Sequence, residues 1–187
     1  MPEKSVVITF DDGNPSDYEY ALPELLRYGF TATFFVTVKN IGERLKWEHL
    51  REMAHSGMSI QSHTMTHPFL PDLSTEAIRW ELAESQRILE EMLEKTVSYL
   101  ALPGGRYNRT VRRLAVECGY KAICTSEVGF NTPKTDPYRL KRWTIRRNTD
   151  ISEFQRILEG ERKLVIRHKI RYILLDSAKK ILGNELY

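Results

Sequence analysis

The chain has 187 residues, of which 41% are hydrophobic and 28% are charged, and its formal net charge is +3. This length predicts one soluble globular domain with a buried core, because two full domains need more residues. The sequence excludes a solenoid or a low-complexity chain, since it has no internal repeat, and no stretch approaches the roughly 20 apolar residues of a membrane-spanning helix.

The amino terminus and the two cysteines indicate little about the compartment. The first residues, Met-Pro-Glu-Lys-Ser, lead into an acidic pair and are unlike a signal peptide, so a cytoplasmic location is the default expectation. Cys118 and Cys124 are interpreted as small core residues, because they form neither a disulfide framework nor a zinc-ligand pattern.

Strands and helices alternate through the first 125 residues. Each predicted strand is a short apolar or β-branched run, and each predicted helix repeats its apolar residues at helical spacing. The predicted strands are 5–10, 31–38, 58–61, 97–102 and 120–125, and the predicted helices are 21–28, 47–55, 75–95 and 110–118. This alternation predicts a parallel α/β sheet, although periodicity does not distinguish an open sheet from a closed barrel.

The pattern changes after residue 129. Proline-containing loops precede a strand-like segment at 139–145, and helices are predicted at 151–158 and 164–182. Residues 139–180 contain 13 basic and 5 acidic residues, a local excess of +8. Such a run is most often a solvated helix face, and the alternative is a surface for a membrane, a nucleic acid or an anionic polymer.

Two polar clusters follow separate strands and point to a shared site. Asp11 and Asp12 end the first strand, and His63 and His67 follow the third. Either cluster alone is commonly a turn or a surface pair, but in an α/β fold the carboxyl ends of strands gather on one face. One carboxylate and two imidazoles would leave a coordination position open for water, as in catalytic zinc sites. The second carboxylate would accept a proton from that water.

These motifs resemble the polysaccharide deacetylases of the NodB-homology type, carbohydrate esterase family 4. Thr-Phe-Asp-Asp-Gly at 9–13 resembles the first family motif, and His-Thr-Met-Thr-His at 63–67 resembles the second. Pro-Gly-Gly-Arg-Tyr at 103–107 stands where the third motif falls. The resemblance implies a distorted (β/α) barrel with fewer than eight strands over residues 1–150, with a helical segment, 151–187, packed on it.

The resemblance also assigns roles to individual residues. It implies that Asp11 is the catalytic base, that Asp12, His63 and His67 hold a divalent metal, and that the main-chain N–H of Gly104 binds the oxyanion. Two imidazole ligands favour zinc, and cobalt, nickel or manganese would suit the same ligands.

Two departures from the family pattern leave alternatives open. Ala101 stands where the third motif usually carries an arginine that orients the base, so Arg142 is the candidate for that role, or else one more member of the basic segment. Only His168 is available downstream as the acid that protonates the leaving amine. Its surroundings predict a helix, which favours a surface residue, with water, another residue or a partner chain as the donor. Trp143 is the candidate for stacking on a sugar ring.

The leading hypothesis is a metal-dependent hydrolase that removes N-acetyl groups from an N-acetylhexosamine polymer or oligomer. The alternative is a degenerate pseudoenzyme that binds metal and glycan without cleavage. A third hypothesis is a module that docks through its basic end, with binding that weakens steeply with salt. The expected partner is an N-acetylated glycan rather than nucleic acid. The basic segment could also contact a membrane surface or a synthesis complex. The sequence leaves the oligomeric state open.

Overall fold

The computed structural model describes residues 5–161, 163–168 and 170. The described residues divide into two compact units, one within 1–125 and 135–140 and the other within 126–134 and 141–187. The division predicted from the sequence, after residue 150, stays a prediction about domain organisation. No helix within the described residues is long and apolar enough to cross a membrane.

The first unit is built on a five-stranded parallel sheet. Its strands are β1 (Ile8–Asp12), β2 (Ala32–Val36), β3 (Ser59–Ser62), β4 (Tyr99–Ala101) and β5 (Ala122–Cys124). Neighbours in the sheet are also neighbours in the chain, and every pairing is parallel. The strands form a half-barrel with helices, which confirms the predicted α/β class and the barrel of fewer than eight strands.

Helices connect the strands and cover the sheet. They are α1 (Leu22–Arg27), α2 (Trp47–His55), α3 (Thr75–Leu93) and α4 (Arg109–Glu117). The longest, α3, is capped by Ser74, whose side chain accepts a hydrogen bond from the Ala77 N–H at 3.2 Å. Its buried apolar stripe joins a core that contains Phe34 and Leu114, both fully buried. This burial is the main stabilisation of the unit.

The sheet is weakest between β3 and β4, where only one residue pair is in register. The buried side chain of Gln61 replaces main-chain hydrogen bonds that the two strands do not form. Its Oε1 accepts hydrogen bonds from the N–H groups of Ser98 and Tyr99, both at 2.8 Å. Its Nε2 donates to the Ser59 hydroxyl at 3.1 Å and to the Thr96 carbonyl at 3.4 Å. One amide side chain therefore joins the two strands.

Some element bounds differ from those predicted. The first strand was expected at 5–10 but pairs with β2 over Ile8–Asp12, so both acidic residues lie within the strand. A π-helical turn, Asp17–Ala21, precedes α1. The strand expected at 139–145 is wrong, because Leu140 makes only one isolated bridge, to Cys124. Of the helix expected at 164–182, only residues 164–168 and 170 are described, and they are helical.

The second unit contains α5 (Ile151–Leu158), which matches its predicted bounds. Asp150 caps this helix by accepting a hydrogen bond from the Ser152 N–H at 2.7 Å. Elsewhere in the unit, the Asn131 amide pairs with the main chain of Lys141 in both directions, at 2.8 and 3.0 Å. Polar side chains thus supply local order where the unit has no sheet among its described residues.

We predict that Gln61→Met strongly destabilises the protein. Methionine fills a similar volume, but it leaves the Ser98 and Tyr99 amides without their acceptor. Each buried donor left unsatisfied costs about 1–3 kcal/mol, so for the two donors we expect a loss of about 2–6 kcal/mol. Urea unfolding followed by circular dichroism measures the change. Gln155→Met, at an exposed position of α5, is the matched control, and its free energy of unfolding is expected to lie within about 0.5 kcal/mol of wild type. Equal stability of the two variants would contradict the role of Gln61.

Candidate metal centre

Asp12, His63 and His67 converge at the carboxyl end of the sheet. Asp12 ends β1, and both histidines lie on the loop that follows β3. Asp12 Oδ1 lies 3.3 Å from His63 Nε2 and 3.2 Å from His67 Nε2. One ligand atom from each residue falls within 4.8 Å of the others, as in a group that could hold a metal ion. The His63 side chain is buried, whereas those of Asp12 and His67 are about 40% exposed and leave one side open.

The hydrogen bonding of His63 fits metal ligation. Its Nδ1 lies 2.9 Å from the Ala101 carbonyl at the end of β4. A carbonyl oxygen only accepts, so Nδ1 carries a proton and Nε2 is the ring nitrogen that faces Asp12. Nε2 is therefore the atom that would ligate a metal ion bound between the ring and Asp12. Metal-ligating histidines commonly have this second hydrogen bond, and since it comes from the main chain it does not depend on the residue type at 101.

The same three side chains perturb one another electrostatically. Hydrogen bonds from the two imidazoles hold the pKa of Asp12 well below its usual range, despite partial burial. The hydrogen bond to Asp12 in turn raises the pKa of His67. Asp12 is therefore ionised over the whole physiological range. Protons and a metal ion compete for the imidazole of His67, so metal affinity is expected to fall with decreasing pH.

The backbone of the site is strained. Four non-glycine residues in the described part of the chain have positive φ, and three of them are Asp12 (77°), Thr64 (69°) and His67 (66°). The β-branched Thr64 is the least suited to this region. Each such residue costs on the order of 1–3 kcal/mol and persists only where its surroundings hold it in place. Strained residues of this kind cluster at functional sites in proteins.

Local hydrogen bonds hold the strained loop on one side. The Thr64 N–H donates to Ser62 Oγ at 3.1 Å, and the His67 N–H donates to Thr64 Oγ1 at 3.0 Å. The residues after β2 provide a second support, since the Lys39 N–H donates to the Met65 carbonyl at 2.9 Å. The hydroxyl of Thr64 thus fixes the residue that carries the second imidazole.

Glu81 on α3 holds the loop on the other side, and sequence reasoning missed it. Its carboxylate accepts hydrogen bonds from the N–H groups of Met65 and Thr66, both at 2.9 Å, and from the Thr66 hydroxyl. The signal was present in the sequence. Glu81 lies three residues after Ile78, on the buried stripe of an amphipathic helix, where a charged residue is rare without a partner.

Asp11, the predicted base, precedes Asp12 in β1 and is partly buried. The turn after it is tied by Asn14, whose side-chain amide donates to the Asp11 carbonyl at 3.3 Å and whose N–H donates to Asp17 Oδ2 at 3.0 Å. Asp17 is buried. Burial, together with repulsion from Asp12 and Asp11, raises its pKa to about 6, although the bond from Asn14 opposes the rise. The catalytic role of Asp11 stays a prediction.

Gly104 lies in the short helical turn Pro103–Gly105 that follows β4, with φ of 62°. A Cβ atom there would lie 2.7 Å from Cε1 of Phe69. The guanidinium of Arg106 makes a cation–π contact with the Phe69 ring, with its Cζ 3.9 Å from the ring centroid. Close packing of Phe69 is a physical reason for glycine at this position. The predicted binding of an oxyanion by the Gly104 N–H stays a prediction.

Arg142, Trp143 and His168 all belong to the second unit. The Trp143 ring packs against Phe130 and His168, with centroid distances of 5.6 and 5.1 Å, and its buried indole N–H finds no acceptor among the described residues. His168 Nε2 lies 2.9 Å from Glu153 Oε1. The predicted roles of Arg142 in orienting the base, of Trp143 in sugar stacking and of His168 as acid stay predictions.

Comparison with protein families identifies a match to the model described as polysaccharide deacetylase, over residues 1–123. YxkH of Bacillus subtilis, which is named provisionally as a polysaccharide deacetylase, is 35% identical over 160 residues, 84% of this chain. The peptidoglycan-N-acetylglucosamine deacetylase of Bacillus cereus is 31% identical over 127 residues, 66% of this chain. The chain spans 57% of the length of each of these relatives.

Solved structures give the same match. The Streptococcus pyogenes deacetylase PplD, in complex with acetate, superposes with a TM-score of 0.79 at 30% identity. The alignment covers 84% of this chain and 72% of that protein.

We predict that Asp17→Asn stabilises the metal-free protein near pH 7. The pKa of Asp17 is about 6 in the folded protein and 3.8 in the unfolded chain, so between these two pH values the folded state binds more protons than the unfolded state. Stability therefore falls as pH rises through this window, by on the order of 2 kcal/mol. Asparagine keeps an acceptor for the Asn14 N–H without a charge. Urea unfolding in a chelator should show a gain that shrinks towards zero near pH 4, and a gain independent of pH would contradict the argument.

We predict that Gly104→Ala destabilises the first unit more than Gly119→Ala does. Both glycines have positive φ, which costs an alanine about 1–2 kcal/mol, but nothing lies within 4 Å of a Cβ at Gly119. The contact with Phe69 should add about 1–3 kcal/mol at Gly104. In a double-mutant cycle, Phe69→Ala should abolish that added loss. Additive effects of the two substitutions would show that the contact does not matter.

Proposed function

This chain belongs to the polysaccharide deacetylase family, and we propose that it is a metal-dependent hydrolase that removes N-acetyl groups from an N-acetylhexosamine polymer or oligomer. The proposal rests on one observation: the imidazoles of His63 and His67 both lie next to one carboxylate oxygen of Asp12, and Asp11 is the adjacent residue. A structural role does not require this strained arrangement. The name of the Bacillus cereus relative, a peptidoglycan-N-acetylglucosamine deacetylase, supports an N-acetylglucosamine-containing glycan as the substrate.

We propose zinc as the metal. The donor set of two imidazole nitrogens and one carboxylate oxygen matches the sites in which catalytic zinc keeps an open position. Cobalt, nickel and manganese also accept these donors, so the choice between them depends on supply as well as on affinity. Asp12, His63 and His67 would hold the ion. When bound, it would supply Lewis-acid chemistry and lower the pKa of bound water towards about 7.

The proposed reaction is the hydrolysis of an acetamide. Asp11 accepts a proton from the attacking water, whose oxygen adds to the acetyl carbonyl carbon. The main-chain N–H of Gly104 donates a hydrogen bond to the developing oxyanion. The carbon–nitrogen bond then breaks, and the leaving nitrogen takes up a proton. The products are acetate and a free amino sugar. The proton comes from His168, from water, from another residue or from a partner chain.

The alternative is a pseudoenzyme that binds metal and glycan without hydrolysis. It shares the metal ligands with the hydrolase and differs only in the chemical step, so activity separates the two. Contact of the basic segment with a membrane surface or a synthesis complex is a further proposal, supported by the excess of +8 charges over residues 139–180.

We predict that metal-reconstituted protein releases acetate from acetylated chito-oligomers or peptidoglycan glycan strands. Asp11→Asn should lower kcat by about 10²–10⁴-fold, because it removes the proton acceptor, with little change in metal affinity. His67→Ala should lose both metal binding and activity. Acetate is measured enzymatically and zinc by competition with a chromophoric chelator. His55→Ala, at an exposed site on α2, is the control and should leave both unchanged.

The outcomes separate the hypotheses. Acetate release that is lost on chelation and in both site variants would support the hydrolase. Zinc bound by wild type, with no release from any of these substrates, would overturn it in favour of the pseudoenzyme. Release that persists in His67→Ala would contradict the assigned site.

A further inference from the structure

The carboxylate of Glu81 is buried in the first unit, where the residue is only 4% exposed. Its donors all lie between the two histidines of the candidate site. Oε2 accepts hydrogen bonds from the consecutive N–H groups of Met65 and Thr66 at 2.9 Å, and Oε1 accepts from the Thr66 hydroxyl. A buried carboxylate is expensive unless it is satisfied. The hydrogen-bond donors that satisfy the Glu81 carboxylate all come from the loop that carries His63 and His67.

We propose that Glu81 is a positioning residue for the metal centre, fixing the loop so that both imidazoles face Asp12; this rests on the proposed function. Two neighbouring amides that donate to one oxygen must point the same way, which fixes the orientation of the peptides between Thr64 and His67. Both flanking residues have positive φ, so the loop would relax without an external acceptor.

The anchor comes from a rigid element. Glu81 lies in the middle of α3, between the fully buried Ile78 and Leu82, so its backbone cannot follow the loop. The opposite side of the loop is held by the residues that follow β2, through the Lys39 N–H and the Met65 carbonyl. The loop is therefore held between α3 and the segment that follows β2, and Glu81 provides the side-chain contacts from α3.

Two substitutions separate hydrogen bonding from charge. In Glu81→Gln the amide oxygen can accept from both loop N–H groups, and the amide nitrogen can donate to the Thr66 hydroxyl. Glu81→Ala removes all three bonds. Thr66→Val, at an exposed residue, removes only the hydroxyl donor, and it keeps the test available if the alanine variant does not fold. Glu84→Gln, one turn further along α3, removes a charge that pairs with Arg87 and does not touch the loop.

The measurement is zinc affinity by chelator competition, with amide hydrogen exchange of Met65 and Thr66 in the metal-free protein as a second readout. Glu81→Ala should weaken zinc binding by about 10–100-fold and accelerate exchange at both amides. Thr66→Val should fall between the alanine variant and wild type. Glu81→Gln should stay within about threefold of wild type and restore the protection, as should Glu84→Gln.

The results distinguish this proposal from the proposed function. Unchanged zinc affinity and exchange in Glu81→Ala would overturn the positioning role, as would an equal loss in Glu81→Gln, which would indicate that charge is what matters. Acetate release is followed in parallel. Zinc affinity that follows the predicted order, in a chain that releases no acetate, would overturn the hydrolase and leave the positioning role standing.

Discussion

A single carboxylate oxygen, Asp12 Oδ1, lies within 3.3 Å of two imidazole nitrogens, and much of the first unit follows from that constraint. The oxygen comes from the end of β1 and the nitrogens from the loop after β3. These two strands flank β2 in the parallel sheet, so their carboxyl ends lie at the same edge. The approach also requires positive φ at Asp12 and His67. A backbone of this kind is stable only if the packed fold around it cannot relax.

Buried polar groups supply that rigidity. Ser62 Oγ accepts the Thr64 N–H and lies 2.8 Å from the Ser85 hydroxyl, which ties the end of β3 to α3. The Tyr120 hydroxyl donates to the Leu82 carbonyl at 2.9 Å, and burial raises the pKa of Tyr120 to about 12, so it stays a donor. A purely apolar interior would stabilise the fold but would not orient the loop. The polar residues of α3 connect the packing of the core to the geometry of the site.

The sequence predicts the alternation of strands and helices and the ligand set, because apolar periodicity reports burial and the motifs lie next to strand ends. It does not predict partners of side chains. Gln61 and Glu81 looked like ordinary polar residues, although one joins β3 to β4 and the other holds the histidine loop. The segment 139–145 has strand-like composition, but only Leu140 pairs with the sheet. Propensity describes a residue in isolation, whereas pairing depends on what lies beside it.

Metal binding and the later steps of catalysis are assigned to different parts of the chain. The three ligand candidates, the predicted base and Gly104 all lie within residues 1–123, which the family model matches. The residues predicted to orient the base, to stack on sugar and to protonate the amine are Arg142, Trp143 and His168, all in the second unit. The candidate ligands of a metal ion all lie within the first unit. A hydrolase and a pseudoenzyme would share these ligands, and the difference between them would arise in the chemical step, above all in the proton transfers.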